Sequence, residues 1–361
     1  MKKFTWLALV LTAVLVIAGC GAGKGNTGSG DAAGNGNASG NTDTESGAGN
    51  SGNTEQKQYK IGISQIAEHP SLDATREGFL AALKDAGIEE GKNLKVDFNN
   101  AQGDPTNNLS IAQKLADADN DLILAIATPS AMAVAEQEQE TPTLFAAVTD
   151  PLGAKLVTNL DKPGANISGA SDTNPEAIVR LMDFIAANFP KVKSVGLVIN
   201  EGEPNAVVMA DKAEEALKAN GIELVRAAVT NTSEVQQAAE SLVGRVDALY
   251  ITLDNMVVSA IDTLIEIANE EKLPLFSSDR DTVEQGAFAT VGFKYYDHGY
   301  QVGQMAVEIL KNGANPGDMK ITFPDKLDFI LNLKAAQAMG IEVTDAMKKE
   351  VVDQEQNLIQ P

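Results

Sequence analysis

Asp121 to Gln139 reads DLILAIATPSAMAVAEQEQ. Its five apolar residues, Leu122 to Ile126, fit a buried strand; Thr128 and Pro129 break the run, and helix-forming residues take over at Ser130 or Ala131. A strand that feeds a helix through a short hydroxyl-bearing turn aims several free backbone N–H groups, and the positive end of the helix dipole, at one spot. Such a spot suits a carboxylate or another small anion. Taken alone, the stretch is equally well explained as an ordinary turn with Ser130 as N-cap. What favours the binding reading is that the arrangement recurs along the chain.

On its N-terminal side, Tyr59-Lys60-Ile61-Gly62-Ile63-Ser64 reads as a strand, and Leu72, Phe79, Leu80, Leu83 and Ala86 mark one face of a helix stopped by Gly87. Leu94 to Phe98 then leads through Gly103-Asp104-Pro105 into a helix over about Thr106 to Ala118. On its C-terminal side, the strand Thr143 to Val148 ends in Thr149-Asp150-Pro151. After the linking segment Asn166-Ile167-Ser168-Gly169, a helix starts with Asn174 as N-cap and Pro175 at the first helical position. The pattern then begins again, with strands at Ser194 to Ile199, Ile222 to Ala228, Ala248 to Leu253 and Leu273 to Phe276. Side by side, DLILAIATPSAMAVAEQEQETPTLFAAVTD and DALYITLDNMVVSAIDTLIEIANEEKLPLFSSD are alike.

Strands alternating with helices make a parallel sheet covered on both faces. The expected fold is therefore α/β, with two doubly wound parallel-sheet lobes joined by crossover strands and facing each other across a cleft. The C-terminal segment is too short to fold alone and is expected to complete both lobes. It reads as a strand over Ala287 to Phe293, a helix over Asp297 to Lys311, short strands at Ile321 to Phe323 and Phe329 to Leu333, and a helix over about Asn332 to Met339. Residues 59–168 with 291–313 are assigned to lobe 1, and 169–290 with 314–352 to lobe 2.

The beginning of the chain reads differently. A basic Met1-Lys2-Lys3 precedes Phe4 to Ala18, an apolar run too short for a comfortable membrane span, so residues 1–19 are read as a signal peptide. Ile17-Ala18-Gly19-Cys20 resembles a bacterial lipobox, in which Cys20 receives diacylglycerol and an N-linked acyl chain such as palmitate and becomes the mature N-terminus. A multiply acylated cysteine holds a membrane firmly, whereas one chain does so only marginally. Cys20 is the only cysteine, which leaves no intramolecular disulfide and no thiol for metal binding or nucleophilic chemistry. Residues 20–57 are mostly Gly, Asn, Ser, Thr and Ala with hardly a larger apolar residue, a composition that cannot repay the entropy of ordering and suits a flexible tether. The expected location is the extracytoplasmic face of the cell membrane, in a single-membrane (Gram-positive) bacterium. A phosphate loop is excluded at GAGKG, because Lys24 is followed by Gly25 where Ser or Thr is required. A net charge of −22, with no basic run, argues against nucleic acid as a partner.

In open parallel sheets, ligands bind outside the carboxyl ends of the strands. Those ends carry Ser64-Gln65, Thr128-Pro129-Ser130, Thr149-Asp150, Asn200 with Asn205, Asp254-Asn255 and Ser278-Asp279. Each singly fits an ordinary turn. Converging on one cleft, with uncharged donors mostly in the first lobe and Asp150, Asp254 and Asp279 among them, they fit a zwitterion. Donors take its carboxylate and an aspartate its ammonium. The carboxylate is expected at the Thr128 to Ala131 turn, and the ammonium at Asp254 first and Asp150 second. Enzyme readings fare worse. The two histidines, His69 and His298, lie in no metal-ligand spacing, and HExxH, G-x-S-x-G and a GxGxxG after a strand are all absent. No catalytic residue, metal or cofactor is expected, and His69 reads as a loop histidine bonded to backbone.

IGISQIAEHPSLDATREGF, the ATPSA turn, TDP, EGEPN after the LVIN strand, TLDN, and GAFATVGF before a helix, together with the lipobox and tether, resemble the substrate-binding lipoproteins of one ABC-importer family. Its studied members are associated with tryptophan and other aromatic amino acids. The resemblance covers about Tyr59 to Ala346, with EHPSLD and DN as its most specific parts. It implies a type I periplasmic-binding clamp, two lobes joined by three crossovers, acting as a monomer with an amino acid ligand, a permease and its ATPase as partners. It puts ligand contacts at Ser64, Gln65, Thr128, Ser130, Ala131, Thr149 and Asp150 in the first lobe, and at Asn205, Asp254, Asn255 and Asp279 in the second. Ser171-Asp172, beyond the first crossover, is a weaker candidate, since polar crossover residues also hold hinges. The sequence departs from the family at Ala127 and at Ala206, where a serine is expected after E-x-N. A receptor module that reports the same ligand to a membrane partner is the alternative function; neighbouring permease and ATPase genes would separate the two.

Overall fold

The computed structural model describes residues 57–324 and 326–360. The signal segment, Cys20 and nearly all of the tether lie outside the described residues.

The first sheet is built in the order read from the sequence. β1 (Tyr59–Gln65), α1 (Pro70–Asp85), β2 (Leu94–Asn100), α2 (Pro105–Ala116), β3 (Leu122–Ile126), α3 (Thr128–Gln137), β4 (Thr143–Val148) and β5 (Ile167–Ser171) follow one another. They form a five-stranded sheet of order β2-β1-β3-β4-β5 in which every pair is parallel. β3 and β4 are buried along their whole length, which is why their sequences are unbroken apolar runs rather than alternating ones. All of β5 belongs to this sheet, so the chain leaves it after Ser171.

Beyond that crossing come α4 (Pro175–Asn188), β6 (Ser194–Ile199), α5 (Pro204–Ala219), β7 (Glu223–Ala228), α6 (Val235–Leu242), β8 (Ala248–Ile251), α7 (Asn255–Val258), α8 (Ile261–Glu271), β9 (Leu275–Ser277), α9 (Arg280–Gln285), β10 (Ala289–Gly292), α10 (Tyr295–Asn312), β11 (Asp328–Asn332), α11 (Leu333–Met339) and β12 (Leu358–Ile359). The second sheet has seven strands in the order β12-β11-β10-β9-β8-β6-β7, with β10 and β11 antiparallel and the rest parallel. Its core centres on an aromatic group in which Phe189 meets Phe276 edge-on at 5.3 Å and Phe184 meets Phe329 at 4.5 Å.

After β10 the chain crosses back, and α10 buries Val302, Met305 and Ile309 against Ile61, Phe79 and Leu122 of the first lobe. Its backbone lies directly on α1. A Cβ added at Gly299 would fall 1.9 Å from the Thr75 carbonyl oxygen, and one at Gly78 would fall 2.0 Å from that of Tyr296. Only glycine permits that approach. The third crossing runs from Gly313 to Leu327. Here the expected strand at Ile321 to Phe323 is reduced to a single bridge, Ala170 to Thr322. The segment is held instead by Ser171 N–H to Thr322 O, Thr322 N–H to Gly169 O and the Ser168 hydroxyl to Met319 O. Among the described residues no helix is long and apolar enough to cross a membrane.

Candidate functional site

Between the lobes lies a small, largely enclosed cavity. The first lobe contributes the start of α1 (His69 and Leu72), Ala147 and Thr149 from the end of β4, and Tyr295 at the start of α10. The second contributes Asn205, Leu253, Asn255, Val258 and Asp279, and Asp172 enters from the first crossing. Among the described residues no lysine or arginine lines it.

Two buried carboxylates define its electrostatics. Asp172 accepts from the Thr173 hydroxyl at 3.0 Å and from the Tyr295 phenol at 3.4 Å. Burial pushes its carboxyl up to about 6, against the pull of those hydrogen bonds. Asp279 is the N-cap of α9; one oxygen accepts from the N–H groups of Asp281 (2.6 Å) and Thr282 (3.4 Å), and the other takes the Ser71 hydroxyl from the opposite lobe. It too is raised to about 6, by burial first and also by the charge of Asp172.

The second lobe's amides are oriented by Glu203. This carboxylate accepts from Asn205 Nδ2 (3.0 Å), from the Asn255 and Met256 N–H groups (3.2 Å each) and from Asn255 Nδ2 (2.5 Å). Because a carboxylate only accepts, the NH2 of Asn255 must face it, and Asn255 Oδ1 faces His69 Nε2 at 3.4 Å. Burial lowers His69 to about 4, so the ring is neutral. With Nε2 as donor, Nδ1 is left as a buried acceptor with no partner. Asn205 is similar: its Nδ2 also donates to the Leu253 carbonyl at 2.7 Å, while its Oδ1 is buried and unpartnered. His69 and Ser71 both reach across to the second lobe, so the lobes are in direct contact at the cavity.

Of the residues named from the sequence, Thr149, Asn205, Asn255 and Asp279 line this cavity, as does Asp172 of the weaker crossover pair, and the other site candidates do not. Asp254, expected to meet an ammonium first, is turned inward: its oxygens accept from Asn200 N–H (2.6 Å) and Val257 N–H (3.1 Å), which tie β6 to α7. Burial, with the nearby charge of Glu203, raises its carboxyl to about 8. Asp150 closes a turn by accepting from Gly153 N–H at 2.9 Å and faces a neighbouring interlobe groove with Lys212 and Met209. Gln65 is engaged by Arg76, Asp73 and the Ala67 carbonyl, and Ser64 is buried at the end of β1.

The Thr128–Ala131 turn is also used internally. Thr128 Oγ1 accepts from Thr149 N–H, the Ser130 hydroxyl donates to Asn108 Oδ1 at 3.2 Å, and Ala131 N–H donates to the Ala127 carbonyl. Ala127 itself adopts a φ of 76°, a conformation that favours glycine.

Sequence reasoning missed His69, Leu72 and Tyr295 as cavity residues, because they sit at helix starts rather than strand ends. The expectation that His69 bonds backbone fails: its ring meets only Asn255, and as the N-cap of α1 it makes no side-chain cap bond and leaves the first-turn N–H groups uncapped. The EHPSLD motif was the available signal. His298 has a structural task, with Nε2 accepting from Ala147 N–H at 3.0 Å to hold the bulged end of β4. Among the described residues no group of three or more potential ligands is placed to hold a metal.

A family model described as ABC transporter substrate binding protein matches residues 60–354. The chain is 38% identical over 308 residues to a tyrosine-binding protein of Clostridioides difficile (strain R20291), covering 85% of this chain and 88% of that one. A Streptococcus pneumonia structure in complex with L-Trp is 31% identical, with a TM-score of 0.78 over 84% of this chain and 100% of that one. The ligand-free, open structure of a substrate-binding protein with adhesive properties from Clostridium difficile is 40% identical, yet its TM-score is 0.60 over 83% of this chain and 98% of that one. The less similar sequence gives the better superposition, so the lobes here are arranged more like the L-Trp complex than the open form.

Proposed function

Because the chain belongs to the ABC transporter substrate-binding proteins, which bind solutes and are not enzymes, we propose that it captures a free aromatic amino acid between its lobes and delivers it to a membrane permease driven by an ATPase. The observation that carries this reading is the pair Asp172 and Asp279: two buried carboxylates at one interlobe cavity whose wall, among the described residues, holds no cationic side chain. A ligand ammonium supplies the missing charge. Asp279 replaces Asp254 as the second-lobe partner of that ammonium, and its position makes binding favour closure. The uncapped N–H groups of α1 supply donors for the carboxylate. Leu72, Leu253, Val258 and Tyr295 offer apolar surface to a ring, and the tyrosine and L-Trp named for the relatives support an aromatic side chain.

The lipobox supports a mature protein that begins at a lipidated Cys20 and is held outside the cell membrane by its tether, where the lobes capture ligand as a monomer. Replacing Cys20 with serine is expected to release the protein or leave its precursor unprocessed; unchanged membrane retention rejects the anchor. Calorimetry with the twenty amino acids tests the ligand reading. Saturable binding of aromatic amino acids supports it, and binding by none, or only by non-aromatic ones, overturns it.

A further inference from the structure

We infer that the cavity selects, among aromatic amino acids, those whose ring carries a hydrogen-bond donor, a phenol or an indole, and that Asn205 and His69 enforce the choice. The inference rests on the proposed function and concerns the part of the ligand beyond the ammonium.

It follows from the number of acceptors. Four groups on residues that line the cavity can take a proton donor: the carboxylates of Asp172 and Asp279, and the buried, unpartnered Asn205 Oδ1 and His69 Nδ1. Neither uncharged acceptor can turn away. Asn205 is fixed by its two donations, to Glu203 Oε2 and to the Leu253 carbonyl. His69 is fixed through Asn255, whose own amide is fixed by Glu203. Both residues are at least nine-tenths buried, Asn205 at 3% exposure and His69 at 7%. An α-ammonium brings three N–H groups. With two directed at the carboxylates, the third satisfies one of Asn205 and His69 and leaves the other open. A ring O–H or N–H fills that fourth position; a phenylalanine ring cannot, and strands a desolvated acceptor in the closed complex. Sites built around a substrate's hydrogen-bonding group reject analogues that lack it for this reason, whereas an apolar pocket discriminates weakly.

The test is calorimetry of the intact protein with L-tyrosine, L-tryptophan and L-phenylalanine, which needs no variant and so does not depend on a substitution being tolerated. At least one of tyrosine and tryptophan is expected to bind about tenfold or more tightly than phenylalanine. Asn205→Leu and His69→Phe then sort the two acceptors. The variant that removes the ring contact brings the preference over phenylalanine to within about threefold, and the one that removes an ammonium contact weakens all ligands together. Phenylalanine binding as tightly as both others, or a preference that survives both substitutions, overturns the inference while leaving an aromatic amino acid as ligand. Binding of none of the three removes the proposed function, and the selectivity with it.

Discussion

Asp254 and Asp279 stand at equivalent places in neighbouring units of the second lobe. Each follows a buried strand, each is the N-cap of a short helix, and each is almost fully buried. They differ in where the second oxygen goes. Asp254 gives it to Asn200 N–H within its own lobe, whereas Asp279 gives it to Ser71 across the cleft. The first carboxylate is thereby a clip between two loops and the second a wall of the cavity. A strand-end aspartate therefore says where a cleft is, but its remaining oxygen decides whether it faces the cavity.

The contrast is tested most severely by Asp279→Asn. Asparagine keeps the N-cap, so the fold is retained, but the ligand ammonium loses a charge partner. Affinity for the best aromatic amino acid should fall at least about thirtyfold, or about 2 kcal/mol, by calorimetry. Equal affinity in variant and parent would remove Asp279 from the site.

Acidity provides the next test. Asp172 and Asp279 titrate at about 6 in the fold, above the ordinary 3.8. As pH falls from about 7 to 5 the folded protein takes up protons that the unfolded chain does not, so these two groups add stability on acidification. Binding needs their charged forms and weakens over the same window. The melting-temperature gain from saturating tyrosine should shrink toward pH 5 while the contribution of the pair to the ligand-free protein rises. A gain that is independent of pH contradicts the pairing.

Asp254→Ala should act in the opposite sense to Asp279→Asn, lowering stability by about 1 kcal/mol through the lost cap while affinity stays within about threefold in calorimetry. The smallest effect is expected for Ser130→Ala. Its hydroxyl serves Asn108 rather than the cavity, so affinity should change by less than about twofold and stability by about 1 kcal/mol or less, measured by denaturant titration.

The fold was legible because its signals are local and repeated. Unbroken apolar runs such as Leu122–Ile126 announce strands buried on both faces, and Asp104-Pro105 and Asn174-Pro175 announce helix starts that the structure places at those residues. β12 went unrecognised because two residues have no periodicity to read. The site was legible only in part. Strand-end reasoning reaches Thr149, Asn205, Asn255 and Asp279, but sequence cannot say which way the oxygens of an N-cap aspartate point, which is the difference between Asp254 and Asp279. Nor does it reveal that the hydroxyls of the Thr128–Ala131 turn are engaged by Thr149 and Asn108, or that α1, first in the chain, meets Asp279 through Ser71.

The glycine contacts between α1 and α10 bear on how the protein is made. The side of α1 that packs on α10 has no cover until the chain has been synthesised through Asn312, although the strands beneath the helix are finished by Ser171. Completing the first lobe therefore requires a contact of very long sequence separation, which slows folding. A chain that stays incomplete until its last quarter emerges also stays threadable. Gly78 and Gly299 mark where that late contact is made, since each lets the two helix backbones meet.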